Sequence, residues 1–446
     1  LVRCYMINLF DVFDKKASIL YKSFIQVGTQ RKTIVIEENG FLPDDILTPY
    51  AFFANNPETT SQPLFFNEVP IPRFWTIEGN NNTAFIKNLD EVKARIIYKA
   101  NYKHRIVERV EWLNKRGHTQ YIDYYNKVGK RYAQVVLDAN SQKCILKRYF
   151  NYNNEVMMVE NFVTNDIMLT WKNKVYFFHS KIQFVNFYLE VAQLESENFM
   201  INSLSISSAV LNGLSESGND SIFWQGDITP EIMKHMENAL AKEKRNFKII
   251  LPSPSAYEKV IELIDEQYKN RIFQSGYVYR FVKENRHSNQ VLTLTNSDQI
   301  PHLEEIVQAH PNLEFHVAAL TEMSMKLLSL NKYDNVNLYP NAKRQKFISL
   351  YKSCDIYLDI NKGNEILDAV RAAFDYNLVI LGYNETSHNK DVTPENNLFE
   401  EAQFEILSSI LRDIVAEPSH LDQRLRQQWQ QAGSISKAEF IRSLAQ

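Results

Sequence analysis

The feature that most constrains this chain is a change of period. From about Tyr98 to Tyr188 apolar and aromatic residues recur at every second position, in runs such as Gln120–Tyr125, Arg131–Leu137, Cys144–Phe150, Val156–Val159 and Val175–Phe178. Asn126–Gly129, Asp138–Ser141, Asn151–Asn154 and Asn165–Asp166 separate them at hairpin spacing. Period two with short polar breaks predicts an antiparallel β-meander. On either side, strand-sized β-branched runs alternate with stretches of helical spacing. That rhythm predicts parallel, doubly wound sheets, so the meander is an insertion in an α/β chain.

Before the insertion, a strand at 7–10, a helix over 17–27 and a strand at 33–36 are expected. Pro57, Pro63, Pro70 and Pro72 make 55–83 irregular. After about Ser203, strands at 220–224 and 248–251 enclose a helix opened by Pro230, a helix follows over 256–268, and Tyr277–Phe281 is expected to close that sheet. A second series places strands at 291–294, 314–318, 336–339, 356–359 and 378–381, with helices near 301–309, 321–330, 343–353 and 364–375. Helices over 399–416 and 421–445 are expected to fold back on the first lobe. The resulting limits are 1–70 and 201–285 for the two parts of the first lobe, 71–200 for the meander, 286–415 for the second lobe and 416–446 for the terminal helices. Two Rossmann-like lobes direct a ligand to the cleft at the carboxyl ends of their strands.

Composition excludes several chemistries. Of 446 residues only 12 are Gly, and no two are spaced G-x-G, so neither a dinucleotide loop nor a P-loop is present. Cys4, Cys144 and Cys354 are too scattered for a metal set or a disulfide framework, which suits a reducing compartment. His302, His310 and His316 fall on different elements without ligand spacing; no metal or cofactor is expected. No apolar run is long enough to cross a membrane as a helix. Leu1–Tyr5 read as a leader ahead of Met6, and the cytoplasm is the expected address, possible attachment to the inner face of the cell membrane included. Between Lys93 and Arg148, 14 Lys and Arg face only Glu108, Glu111, Asp123 and Asp138. Such a stretch suits an anionic membrane surface, an acidic protein or a solvated face. Its aromatics alternate in strand fashion toward a core, which argues against nucleic acid. Trp112 and Trp171 read as meander core, and Lys343, Arg344 and Lys346 as a solvated helix start.

The unit Asp355–Ile380 carries a resemblance. A strand, a loop, a helix of small residues and an apolar strand in that order resemble the donor-binding end of retaining two-lobed (GT-B) glycosyltransferases. In active members two glutamates eight positions apart contact sugar and ribose. The corresponding pair here is Asn364 and Ala372, or Gly363 and Arg371, and the nearby Glu365 has Ala373 as its partner. At the head of a helix Glu365 also suits the dipole. Active members further place Arg and Lys on the diphosphate from the loop after the lobe's first strand, where charge builds on the leaving nucleotide. Here that loop, Thr295–His302, has neither and carries Asp298. Over nearly the whole length, Phe41–Tyr50, Val110–Asn114, Tyr124–Asn126 and Gly129–Ala133 included, the chain resembles the glycosyltransferase-stabilising (GtfB) family of the accessory Sec system of Gram-positive bacteria. That resemblance implies a GT-B-like, non-catalytic subunit paired with a catalytic homologue, two copies of each. It also implies binding of a Ser/Thr-rich adhesin that the homologue modifies with GlcNAc from UDP-GlcNAc. Asn361, Lys362 and Asn364 are then candidates to face the acceptor. The alternatives are an active retaining glycosyltransferase using a UDP-sugar and a membrane-surface adaptor.

Overall fold

A computed structural model describes residues 6–445 apart from 30, 56–60, 81, 101, 103 and 104; Leu1–Tyr5, with Cys4, lie outside the described residues. The chain divides into two compact units, one through Gln274 and one from Ser275 onward.

The first unit holds two sheets. One is parallel and seven-stranded, in the order Ile272–Gln274, Arg245–Leu251, Gly218–Phe223, Asn198–Ile201, Met6–Phe10, Thr33–Val35, Ile46–Leu47. Met6–Phe10 pairs with Thr33–Val35 on one side and with Asn198–Ile201 on the other, so the chain leaves this sheet and returns about 150 residues later. Helices begin where side chains cap them: Asp14, Thr48, Ser180, Thr229 and Ser253 each accept a first-turn N–H. In the interior, Arg245 is clamped bidentately by Asp220 and donates to the carbonyls of Glu197 and Glu216. Gly218 leaves room for it, since a Cβ there would lie 2.2 Å from the guanidinium.

The second sheet is the meander: ten antiparallel strands in sequence order from Thr76–Gly79 to Lys174–Phe178. Three strands, Thr76–Gly79, Thr83–Asn88 and Glu91–Tyr98, lie ahead of the period-two run from Tyr98, though inside the 71–200 limits, and the first falls in the stretch expected to be irregular. The first is mostly exposed, and the inward positions of the other two are Ala84, Ile86, Ala94 and Ile96, half of them alanine, which blunts the alternation. The meander ends at Phe178, and Lys181–Val191 is a helix. Met158, Ile167, Leu169 and Phe178 share a core with Tyr50, Phe53 and Phe184.

The second unit is a six-stranded parallel sheet: Val336–Tyr339, Glu314–Ala319, Gln290–Thr295, Ile356–Asp359, Val379–Tyr383, Leu398–Phe399. Two expectations are corrected here. Tyr277–Phe281 does not close the first sheet; Ile272–Gln274 does, while Tyr277 bridges to Ser434 and Phe281 packs on Phe374 and Trp429. The helices Phe404–Ala416 and Pro418–Gln431 pack on the second sheet, through Leu407, Leu411, Ile414, Leu421 and Leu425. A single helix over 421–445 is broken at Gly433, whose φ of 66° is left-handed. These features give the α/β, GT-B-like class with an inserted antiparallel sheet.

Candidate functional site

Two loops meet at the carboxyl ends of the second sheet. Gln290–Thr295 runs into 296–301, and Ile356–Asp359 runs into 360–368. The Thr295 hydroxyl has its one proton between two acceptors, the Asn361 carboxamide oxygen (2.8 Å) and the Ser297 carbonyl, and it accepts from the Ser297 N–H. The same Asn361 oxygen accepts from the Gly363 N–H (3.1 Å), while its amide nitrogen reaches Asn296 at 3.4 Å. Lys362 N–H donates to the Gln299 carbonyl. A Cβ on Gly363 would sit 1.9 Å from Asn296 Oδ1, so glycine permits this approach. Asn361, expected to face a ligand, is instead 3% exposed and has both ends of its amide engaged within the protein.

Beside this junction is a cavity of about 330 Å³, lined by Thr295, Ser297, Asp298, Thr321, Glu322 and Ser324 among others. It holds two carboxylates, several hydroxyls and, among its described lining residues, no Lys or Arg. Two cations of the 360–375 segment are engaged elsewhere. Lys362 pairs with Glu401 at 2.8 Å, and Arg371 pairs with Asp375 at 2.9 Å while lying over Tyr279 and Phe374. Carboxylates without a facing cation oppose a diphosphate.

The expected helix 364–375 begins only at Ala369, because Leu367 and Asp368 are left-handed. Glu365 reaches forward, and its carboxylate accepts the Val370 N–H at 3.0 Å, filling one of the unpaired donors of the first turn. Burial raises its pKa. Ala372 is half-buried against the small-residue core of that helix, and Asn364 is exposed. The structure therefore brings Asn361 and Gly363 to the 296–299 loop, turns Glu365 into the helix and leaves Arg371 on the helix surface.

One cluster went unread in the sequence. The His388 ring faces two acceptors, Asp359 Oδ1 at 2.6 Å and the Gly363 carbonyl at 2.8 Å, and its backbone N–H donates to Asp359 Oδ2. With both nitrogens facing acceptors the ring is an imidazolium. The hydrogen bond to Asp359 outweighs burial and raises its pKa to about 9. Thr386 adds a bond to the Asp359 carbonyl. An acid at the last position of a strand, with a His in the loop after the next strand, is the signal that could have revealed it.

Other candidates resolve into structure. His302 stacks on Phe404 (4.1 Å, 3°), His310 bonds Ser408, and His316 bonds and stacks on Tyr339. Burial lowers the last two below the ordinary histidine value. Trp112 donates to Asp123 and stacks on Tyr121; Trp171 packs on Phe53 and Phe187. Lys343 and Arg344 are exposed, and Lys346 lies over Tyr339. In the basic stretch Lys93, Lys99, Arg109, Lys127 and Arg131 are each paired with a carboxylate, which removes part of its excess charge.

Known proteins supply the context. Family models for the GtfB N-terminal, middle and third domains match residues 7–53, 75–179 and 181–263, and the GftB/GlyA-F C-terminal domain matches 291–428. The UDP-N-acetylglucosamine–peptide N-acetylglucosaminyltransferase stabilizing protein GtfB of Streptococcus agalactiae is 36% identical over 98% of both chains, and that of Streptococcus gordonii 37% over 98% of both. A crystal structure of a GtfA/B complex bound to UDP and GlcNAc contains a chain that matches with a TM-score of 0.93 at 36% identity, over 99% of each chain. The pneumococcal O-GlcNAc transferase GtfA matches at 12% identity and a TM-score of 0.55 over 99% of this chain and 98% of its own, a likeness of fold. With family models over most of its length and relatives above 30% identity from end to end, the chain belongs to the GtfB family of glycosyltransferase-stabilising proteins.

Proposed function

We propose that this protein is the non-catalytic subunit of a protein O-GlcNAc transferase: it stabilises a catalytic GtfA-like homologue, in a complex of two copies of each, and binds the Ser/Thr-rich adhesin polypeptide being modified in the cytoplasm. The carrying observation is the cavity with Asp298 and Glu322 and no cation among its described lining residues. A transferase must hold the leaving diphosphate with fixed positive charge, and loss of such electrostatic stabilisation removes a major part of catalysis. The names of the full-length relatives support the stabilising role, and the GtfA/B complex supports the kind of partner. For the acceptor, Lys362 and Asn364 remain exposed at the loop junction and are kept as contacts; Asn361 is withdrawn from that role.

Titration of UDP-GlcNAc into the isolated chain tests this reading, with release of GlcNAc followed in parallel. We expect neither turnover nor saturable binding up to ~1 mM, the upper end of ordinary enzyme KM values. Turnover by the chain alone would establish the alternative, an active retaining glycosyltransferase.

A further inference from the structure

The sequence contains two Asn-Gly pairs, Asn39–Gly40 and Asn212–Gly213. With no Cβ on the second residue, its backbone nitrogen can reach the asparagine side-chain carbonyl carbon and close a five-membered ring. The two pairs stand in opposite backbone contexts. Asn212 lies inside the helix Ile206–Gly213, whose ladder holds backbone nitrogens along the axis and away from the outward side chains. Asn39 is exposed and follows Thr33–Val35 in a loop outside any helix or strand.

Around Asn39 the loop is set for that attack. The Asn39 carboxamide oxygen accepts the Phe41 N–H at 2.8 Å, which closes a ring containing the Gly40 nitrogen and polarises the carbonyl. The Gly40 N–H donates to the Glu38 carboxylate, also at 2.8 Å, so an acceptor stands ready for the proton this nitrogen must lose. Glu38 is itself held, its other oxygen accepting from the Thr48 hydroxyl at 2.7 Å. Gly40 is fixed against the meander. Its φ of 78° is left-handed, and a Cβ there would meet Tyr132 at 2.7 Å and the Tyr125 carbonyl at 2.9 Å. Its carbonyl accepts the Lys127 N–H at 2.8 Å. The nucleophile stays in place while the exposed side chain turns onto it.

We propose that Asn39 is a site of self-modification, at which the protein converts its own asparagine to isoaspartate and aspartate. The Gly40 nitrogen bonds to the Asn39 side-chain carbonyl carbon as the bond from that carbon to the amide nitrogen breaks. The Gly40 proton passes by way of Glu38 to the departing ammonia. Water then opens the cyclic imide. Opening at the backbone carbonyl gives isoaspartate, with the main chain rerouted through the side chain and one carbon longer; opening at the side-chain carbonyl gives aspartate. Both products add one negative charge. Isoaspartate places its extra carbon immediately ahead of Gly40, where Tyr125 and Tyr132 leave no room, so it loosens the 38–54 segment from the meander.

The test is peptide mapping of the full chain by mass spectrometry after incubation in mildly alkaline buffer, with isoaspartate counted by enzymatic methylation. Asn39 should convert faster than Asn212 by roughly a hundredfold, the factor that ~1 Å of misplacement can cost an intramolecular attack. In urea the two should convert at similar rates, because the difference belongs to the fold. Glu38→Gln keeps an acceptor for the Gly40 N–H and removes the base, and it should slow conversion at Asn39 alone. Asn39→Gln would have to close a larger ring. It should stay unmodified and hold its Tm through the incubation, while wild type loses Tm in step with isoaspartate. Conversion of Asn212 as fast as Asn39 in the folded chain, or a difference that persists in urea, would overturn the site. Equal rates in wild type and Glu38→Gln would overturn the role of Glu38, and a Tm that holds as isoaspartate accumulates would overturn the loosening.

Discussion

Asn361 shows how a residue's chemistry can be right and its direction wrong. An amide in a loop at the carboxyl end of a parallel sheet is well suited to polypeptide, yet here it joins two loops of its own chain. Asn361→Ala would leave the Gly363 N–H unpaired and remove one of the two acceptors facing the Thr295 hydroxyl, at a cost of about 1–3 kcal/mol. Thermal unfolding should show that loss, while Asn364→Ala should leave Tm unchanged and act, if anywhere, on acceptor affinity. His388 makes a second residue-level prediction. Its pKa is raised from 6.5 to about 9 in the folded protein. Its stabilisation is therefore complete below pH 6.5 and is lost as pH climbs through about 9. Denaturant midpoints measured across that window should fall for wild type and stay flatter for His388→Gln.

At the scale of elements, much was legible and the misses have physical causes. Regular strand–helix alternation located the second sheet almost strand for strand, because parallel strands buried on both faces read as near-continuous apolar runs. The first three meander strands were obscured because their inward positions are partly Ala and one strand is mostly exposed. The packing of the terminal helices was not legible, since amphipathicity says that a face is buried and not against what. The structure gives the reason for Pro418–Gln431. The strand Val379–Tyr383 pairs with Leu398–Phe399 only at Gly382 and Tyr383. The edge left open at 378–380 is completed by the Gln428 side chain, which accepts from the Ile380 N–H and donates to the Leu378 carbonyl, both at 2.9 Å. Gln428→Leu keeps the size and removes both bonds, leaving two buried backbone groups unpaired. We expect about 2–4 kcal/mol of destabilisation, near the sum of two such losses, read as a lowered denaturant midpoint at unchanged m-value.

At the scale of the molecule, the site was legible as a deficit: the absence of cations in Thr295–His302 and of an acid pair around 363–372 is visible in the residues themselves. The Asp359–His388 clasp was not, because it joins residues far apart in the chain. In the second unit the loops after Gln290–Thr295 and Ile356–Asp359 are braced to each other through Asn361. The account's central claim is that the chain acts through a catalytic partner. Reconstitution tests it directly: GtfA-like homologue, Ser-rich acceptor and UDP-GlcNAc, with and without this chain, followed for GlcNAc transfer and for the homologue's thermal half-life. The account predicts that both fall when this chain is left out and that this chain alone transfers nothing. Unchanged transfer and an unchanged half-life in its absence would contradict it.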